Sequence, residues 1–207
     1  MQLTEHIIVE PSVLYVGTPV MLLCTENPDG TTNLSVASSY WSLGRMIVIG
    51  LLNQGRTIKN LLERPDITVN FPSPDKWKSV ESIADTTGMD PVPATKRHRY
   101  TYEPDKFARA DLTPQPSDVV GPSRVRECAL QFEGRLCKAT PGAGEYCMAE
   151  VEVLRIHADP RIVVPGTQHI DPSMWQPTIY SFRHYLGVSE EVGHRANSDT
   201  AHPVRNS

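Results

Sequence analysis

The chain has 207 residues, 39% of them hydrophobic and 21% charged, with a formal net charge of −4. Those values fit a globular domain with its own core and argue against a nucleic-acid binder, which usually presents a basic surface. No apolar run approaches the ~18 residues of a membrane span, and no basic start, apolar stretch and small-residue cleavage site opens the chain, so cytoplasmic residence is expected.

Cys24, Cys128, Cys137 and Cys147 form no CxxC pair and no zinc spacing, and are expected to be reduced, packed thiols. In chain order, residues 13–16 read as a strand, Gly17-Thr18-Pro19 as a break, and residues 20–25 as a buried strand. Asn27-Pro28-Asp29-Gly30 carries strong turn residues. Residues 33–39 are small and polar between strands. Residues 46–52 are almost continuously apolar and β-branched, as in a strand buried on both faces. Ile58, Leu61 and Leu62 then fall at helical spacing, with Thr57 available as a cap and Pro65 as a stop. Ile67, Val69 and Phe71 alternate with Thr68 and Asn70, as in a half-buried strand.

Residues 74–87 suggest a second short helix with Trp77, Val80 and Ile83 on one side. Residues 89–122 are rich in proline, charge and aromatics, and cluster Lys96, Arg97, His98 and Arg99 beside Tyr100 and Tyr102. With so little apolar periodicity this is a long excursion, not a second domain; such loops are often functional lids. Residues 128–138 and 146–157 read as strands joined by a Pro-Gly turn. The inward set Cys147, Ala149, Val151, Val153 gives way to Leu154 and Ile156, so a bulge is expected near Val153-Leu154. Residues 179–188 suggest a helix or docked turn, and residues 193–207 a flexible tail behind a single domain over residues 1–192. Helices that do not alternate with strands disfavour a doubly wound sheet. A mainly β chain forming a small closed or split β-barrel is the better reading.

Residues 29–73 resemble the core of the flavin reductase family, in its flavoredoxin-like branch. The resemblance rests on Asn33, Ser38-Ser39, Gly50, Thr57, Asn60 and Val69-Asn70-Phe71-Pro72-Ser73, in that order. It continues through Asp105-Lys106-Phe107, Pro116-Ser117, Glu127-Cys128 and Glu133. No single motif is diagnostic; their order is. Gly44-Arg45 stands where relatives usually carry proline, which leaves the direction of Arg45 open. The resemblance implies a Greek-key split barrel that binds FMN (or FAD) in a homodimer. NAD(P)H would be the co-substrate, and a flavin, a redox partner protein or another acceptor would take the electrons.

FMN needs hydroxyl and amide donors, backbone along its ring and a cation for its phosphate. The resemblance places the ring and ribityl chain along Ser35, Ala37, Ser38 and Ser39, with Asn33 nearby. Arg56 and Thr57 open a helix, where free N–H groups and the helix dipole favour a phosphate; Gln54 and Asn60 complete the set. Taken singly, Thr57 reads as an N-cap, Arg56 as a solvated surface residue and Asn60 as a partner of local backbone. Lys96 to Arg99 read either as a clamp for NAD(P)H phosphates or as a solvated loop. His157 reads as a strand-end residue rather than a catalytic base, and Trp41, Trp77 and Trp175 as packing or dimer residues. No GxGxxG, P-loop, serine elbow or metal constellation is present. A flavin-bound electron carrier and a flavin-free binding module are the alternatives to a reductase.

Overall fold

The computed structural model describes residues 6–187. Its first half holds strands β1 (Thr18–Pro19), β2 (Met21–Glu26), β3 (Thr32–Ala37), β4 (Tyr40–Leu43), β5 (Met46–Leu52) and β6 (Asp66–Phe71), with helices α1 (Arg56–Glu63) and α2 (Trp77–Ala84). The excursion contributes β7 (Thr86–Thr87), β8 (Thr101–Tyr102), α3 (Lys106–Ala110), β9 (Pro114–Gln115) and β10 (Arg124–Val125). The long hairpin β11 (Leu130–Pro141) and β12 (Tyr146–Ala158) follows, then β13 (Ile179–Ser181) and β14 (His184–Leu186). No helix among the described residues is long and apolar enough to cross a membrane.

Seven strands form one antiparallel sheet in the order β3-β2-β6-β11-β12-β5-β4. Its edge strands, β3 and β4, are consecutive in the chain, and β3 lies back against β5, so the sheet rolls up and leaves a seam there. Inside the roll, Met21, Leu23, Ile47, Ile49, Leu51, Ile67, Val69, Phe71, Ala149 and Val151 pack with Ile58 and Leu61 of α1. Outside it, Val20, Leu22, Cys24 and Leu34 pack under α2 and α3, against Val80, Ile83, Phe107 and Ala110. β2 is thus apolar on both faces from Met21 to Cys24 because each face meets a different core.

That second layer corrects the half-buried reading of β6. Thr68 and Asn70 are fully buried, because the excursion covers their face. Asn70 donates to the Leu22 carbonyl (3.0 Å) and to Thr68 Oγ1 (3.0 Å) and accepts from the Val125 N–H (2.9 Å). A buried amide so satisfied is no liability. The run 46–52 is buried through Ile47–Leu51 except at Gly50, but its end, Leu52, is exposed at 45%.

Three further expectations change. Residues 13–16 are not strand; the first paired residues are Thr18 and Pro19, held by Tyr180 and Ile179 of β13. Residues 179–186 form a hairpin rather than a helix, because Thr18 and Pro19 offer them a strand partner. α2 ends at Ala84, and Thr86–Thr87 instead pair in parallel with Thr101–Tyr102, stitching the middle of the excursion to the stretch that follows α2. Val188 and the expected tail from Gly193 lie outside the described residues.

The bulge falls where the side-chain pattern switches phase. Glu133 pairs with Arg155 and Gly134 with Val153, so Leu154 is the extra residue. Arg45 answers the question its position raised. Its guanidinium donates to the carbonyls of Val153 (2.6 and 3.0 Å) and Leu154 (3.1 Å), capping the bulge. Gly44 beside it has φ of +59°, the left-handed geometry that favours glycine in a tight bend. Cys24, Cys128 and Cys147 are buried free thiols, and burial pushes Cys24 up to about 12 despite hydrogen bonds from Thr68 and Asn70. Cys137 departs from expectation and is exposed, being the extra residue of a second irregularity between Leu136 and Lys138.

The end of the excursion is anchored by a buried carboxylate. Glu133 is fully buried and accepts the N–H groups of Asp118 (2.9 Å) and Val119 (2.7 Å), while His157 Nε2 lies 2.6 Å from Oε1. Arg124 sits 3.5 Å from Glu133 and 3.7 Å from Asp118, and Arg155 reaches Asp118 at 2.9 Å. Asp118, Glu133 and His157 are close enough to share a cation, yet the guanidinium groups already balance their charge. His157 is therefore a lock between strand and loop. Burial acts to raise the Glu133 pKa, but the two N–H donors and His157 outweigh it and leave the carboxyl below its ordinary value.

Glu133→Gln is expected to lower unfolding free energy by roughly 3 kcal/mol, as when one member of a buried ion pair is lost. The native carboxylate stabilises fully above the ordinary glutamate range and progressively less as pH falls through its lowered value. Urea titrations at pH 7 and below pH 4 check this; equal midpoints for both proteins at pH 7 would rule out the anchoring role.

Candidate functional site

A cleft of about 300 Å³ opens at the seam, with β3 and the Ser38-Ser39 turn on one side and β5 and the start of α1 on the other. Close backbone approach shapes it. The Gly50 N–H donates to the Ser39 carbonyl at 3.0 Å, and a Cβ on Gly50 would lie 2.7 Å from Ser39 Cβ. Across the mouth, Gly88 follows β7, and a Cβ there would lie 2.6 Å from Asn33 Oδ1. Glycine is the residue that fits both places.

The floor is a chain of polar side chains. Ser35 Oγ and Thr57 Oγ1 are 2.7 Å apart, and Asn33 Nδ2 reaches Thr57 Oγ1 at 3.4 Å. Asn33 Oδ1 in turn accepts from Lys106 Nζ at 3.1 Å, and Lys106 also donates to the Leu34 carbonyl at 2.9 Å. At the far end, the Tyr15 hydroxyl and Ser39 Oγ are 2.7 Å apart. Helix α1 begins after Gly55, which is extended and provides no side-chain cap. Thr57 is thus inside the first turn, not at the cap, because its hydroxyl is directed to Ser35 and Asn33. An uncapped helix start presents N–H groups and the positive end of the dipole to this corner.

Three cations surround that corner. Arg56 donates through Nε to the Gly88 carbonyl at 2.9 Å, which holds its guanidinium beside the cleft. Lys96 Nζ comes within 3.7 Å of where a Cβ on Gly55 would stand. Lys106 lines the cleft although its residue is only 5% exposed. Burial pulls the Lys106 pKa down to about 8, Glu103 acts against that, and the charges of Arg56 and Lys96 depress it further. Burial likewise lowers Lys96, with Glu145 opposing. Like charges held this close favour an anion between them.

Of the residues singled out in the sequence, Ser35, Ala37, Ser38, Ser39, Arg56 and Thr57 line the cleft together. Asn33 stands directly behind it, orienting Thr57 and Lys106. Gln54 lies in an adjoining side cleft, its Oε1 accepting from Thr95 Oγ1 at 2.7 Å. Asn60 is a correction. It is buried at the back of α1, donating to Thr25 Oγ1 (3.1 Å) and Asn27 Oδ1 (3.0 Å), and so fastens the helix to the β2–β3 turn. Sequence reasoning assigned no role to Tyr15, Gly88 or Lys106. For Lys106 a signal existed: a lysine between a capping Asp105 and the core residue Phe107 at the start of a short helix. Of the cluster 96–99, Lys96 turns into the cleft, whereas Arg97, His98 and Arg99 are exposed.

A model of the flavin reductase-like domain matches residues 13–189. The uncharacterized protein YdfE of Bacillus subtilis is 38% identical over 195 residues, which is 93% of this chain and 94% of that one. Among solved structures, flavoredoxin of Desulfovibrio vulgaris superposes with a TM-score of 0.78 at 20% identity, covering 94% of this chain and 99% of that one. A split-barrel protein from Shewanella frigidimarina does so with a TM-score of 0.68 at 17% identity, covering 86% and 87%. The rolled sheet is accordingly a split barrel.

The titration of Lys106 has a readout in the unliganded protein. Between its folded pKa of about 8 and its ordinary 10.5, the unfolded chain holds a proton that the folded chain has released. Raising pH through that window therefore stabilises the fold, by at most about 3 kcal/mol. Denaturant midpoints at pH 7.5 and 9.5 should show this gain in the native protein and not in Lys106→Met. A gain of equal size in the variant would refute the assignment.

Proposed function

The chain belongs to the flavin reductase-like family, and from that premise we propose that it is an oxidoreductase that holds FMN in the seam and reduces it with NAD(P)H. The observation that carries this reading is the anion corner: an uncapped helix start, the Thr57 hydroxyl and three cations, one of them buried. A phosphate dianion placed there would relieve the repulsion among Arg56, Lys96 and Lys106 and accept charge-assisted hydrogen bonds from them. The hydroxyls of Ser35, Ser38 and Ser39 suit a ribityl chain, and the close backbone at Ala37, Ser39 and Gly50 suits a flat ring.

When bound, the flavin supplies the chemistry of accepting and passing on a hydride. What the protein contributes is placement and electrostatics. Arg56, held by the Gly88 carbonyl, fixes the anion. Asn33 keeps Lys106 and Thr57 aimed at the same corner. Such a division needs no side chain as obligatory acid or base.

A second copy of the chain is part of the reading. Trp41 (54%), Leu43 (76%), Leu154 (37%) and Ile156 (51%) expose apolar surface on β4 and β12, and Ile7, Ile8 and Leu14 do so in the segment before β1. Apolar exposure on this scale supports burial against a partner, here a homodimer. Replacing Trp41 and Leu43 by aspartate should give a folded monomer by light scattering, and an unchanged mass would exclude this face.

The flavin reading is tested directly. The native protein should take up FMN, and that flavin should bleach rapidly with NADH or NADPH in the absence of oxygen. Arg56→Ala with Thr57→Val should weaken FMN binding by about a hundredfold, the loss of two charge-assisted bonds, while leaving the circular dichroism unchanged. Unchanged affinity would mean the phosphate is misplaced. A bound flavin that neither nicotinamide reduces would make the protein an electron carrier served by a partner protein, and protein that takes up no FMN would make it a flavin-free module.

A further inference from the structure

A file of four aromatic rings runs from the seam to the outer surface. Tyr15 lines the cleft, and its ring meets Tyr180 edge-on with centroids 5.3 Å apart. Tyr180 meets Tyr185 at 5.5 Å, and Tyr185 meets Trp77 of α2 at 6.2 Å. Trp77 is 43% exposed, so the file ends in solvent. We propose that these rings form a relay that carries a one-electron vacancy out of the seam to soluble reductants and so spares the site from oxidative damage. The proposal rests on the flavin reading only for the oxidant in the seam.

Local structure sets each contact. Tyr180 and Tyr185 are directly paired across β13 and β14. Their two-residue turn, Phe182 (φ 43°) and Arg183 (φ 69°), is left-handed without glycine, a strain that persists where the surroundings fix the register. Trp77 and Glu81 stand at i and i+4 on α2, so one helix face meets both the Tyr185 ring and its hydroxyl. Edge contact accounts for the ring angles but not for the choice of residues. The other aromatic cluster joins Tyr40 to Phe71 and Phe132, and phenylalanine does not yield an electron readily. Every ring of the file is a phenol or an indole. Electron tunnelling weakens exponentially with the gap, so three contacts outrun one long jump.

The protons have places to go. The Tyr15 hydroxyl lies 2.7 Å from Ser39 Oγ, and the Tyr185 hydroxyl donates to Glu81 Oε2 at 2.8 Å. Burial, then that hydrogen bond, push the Tyr185 phenol up, so it keeps its proton until it is oxidised. Tyr15 gives one electron to an oxidant of the class of a light-excited flavin or an oxygen radical, and its phenolic proton to solvent in the cleft through Ser39. With Tyr180 as the bridge, Tyr185 returns that electron, Tyr15 regains a proton from the cleft, and the Tyr185 proton passes to Glu81. A reductant of the thiol or ascorbate class then supplies one electron through Trp77, and Glu81 hands the proton back.

The outer half is tested without flavin. Azidyl radicals made by pulse radiolysis oxidise exposed indoles, and a Trp41→Phe background leaves Trp77 as the only exposed tryptophan among the described residues. In that protein the indolyl absorption should decay as a phenoxyl absorption grows, at a rate independent of protein concentration. Tyr185→Phe, which keeps the ring, should lose the conversion. The inner half is tested on FMN-saturated protein under a blue flash without oxygen. A phenoxyl signal that long outlives the flash is expected, because the vacancy has moved away from the seam. Tyr180→Phe should lose that signal while binding FMN as tightly as the native protein, since Tyr180 does not line the cleft. No conversion at the start, conversion that persists in Tyr185→Phe, or a long-lived signal that persists in Tyr180→Phe overturns the relay. Conversion in the unliganded protein with no uptake of FMN would support the relay with an oxygen radical as its oxidant and remove the flavin reading instead.

Discussion

Lys106 is a protonated amine held in the interior next to two other cations, and the local structure is arranged around that fact. Its ammonium has two acceptors, Asn33 Oδ1 and the Leu34 carbonyl, both on β3. Arg56 and Lys96 approach the same corner from α1 and from the excursion. Nothing in packing alone favours bringing three positive charges together: burial depresses the Lys106 pKa most, and repulsion from Arg56 and Lys96 adds to it. The arrangement becomes favourable once a polyanion sits among them, which is why the corner reads as a site and not as a by-product of folding.

The barrel makes this corner possible. Because β3 and β4 are edge strands that follow one another in sequence, the sheet leaves its opening at the Ser38-Ser39 turn, where small residues line it. The opening would collapse or splay without support from outside the roll. α2 and α3 press on β3 through the second apolar core, and the Glu133 lock ties the far end of the excursion to β11. An excursion with only short elements of its own can therefore deliver Lys96, Tyr100 and Lys106 to fixed places.

Much of this was legible in the residues. Amphipathic spacing marked α1, the phase change after Val153 marked the bulge, and the ordered set from Asn33 to Ser73 marked both the family and the strand that lines the cleft. Errors clustered where a residue's meaning depended on a distant partner. Residues 179–186 became a hairpin only because Thr18 and Pro19 were there to pair with them. Asn70 was buried rather than solvent-facing because the excursion folded over it, and Asn60 turned out to hold the back of a helix whose front is the site.

By itself the sequence determined the local and periodic properties: which segments repeat at two or at 3.6 residues, where turns must fall, and which short stretches carry hydroxyls suited to a phosphorylated ligand. Those depend on neighbours within a few positions. Only the tertiary structure decided that Lys106, Lys96 and Arg56 share one corner, that Glu145 and Gln54 share another, and that Arg45 faces the bulge instead of the site. Each of those is a contact between residues tens of positions apart, created by how the sheet rolls, and no local pattern encodes the distance between their charges.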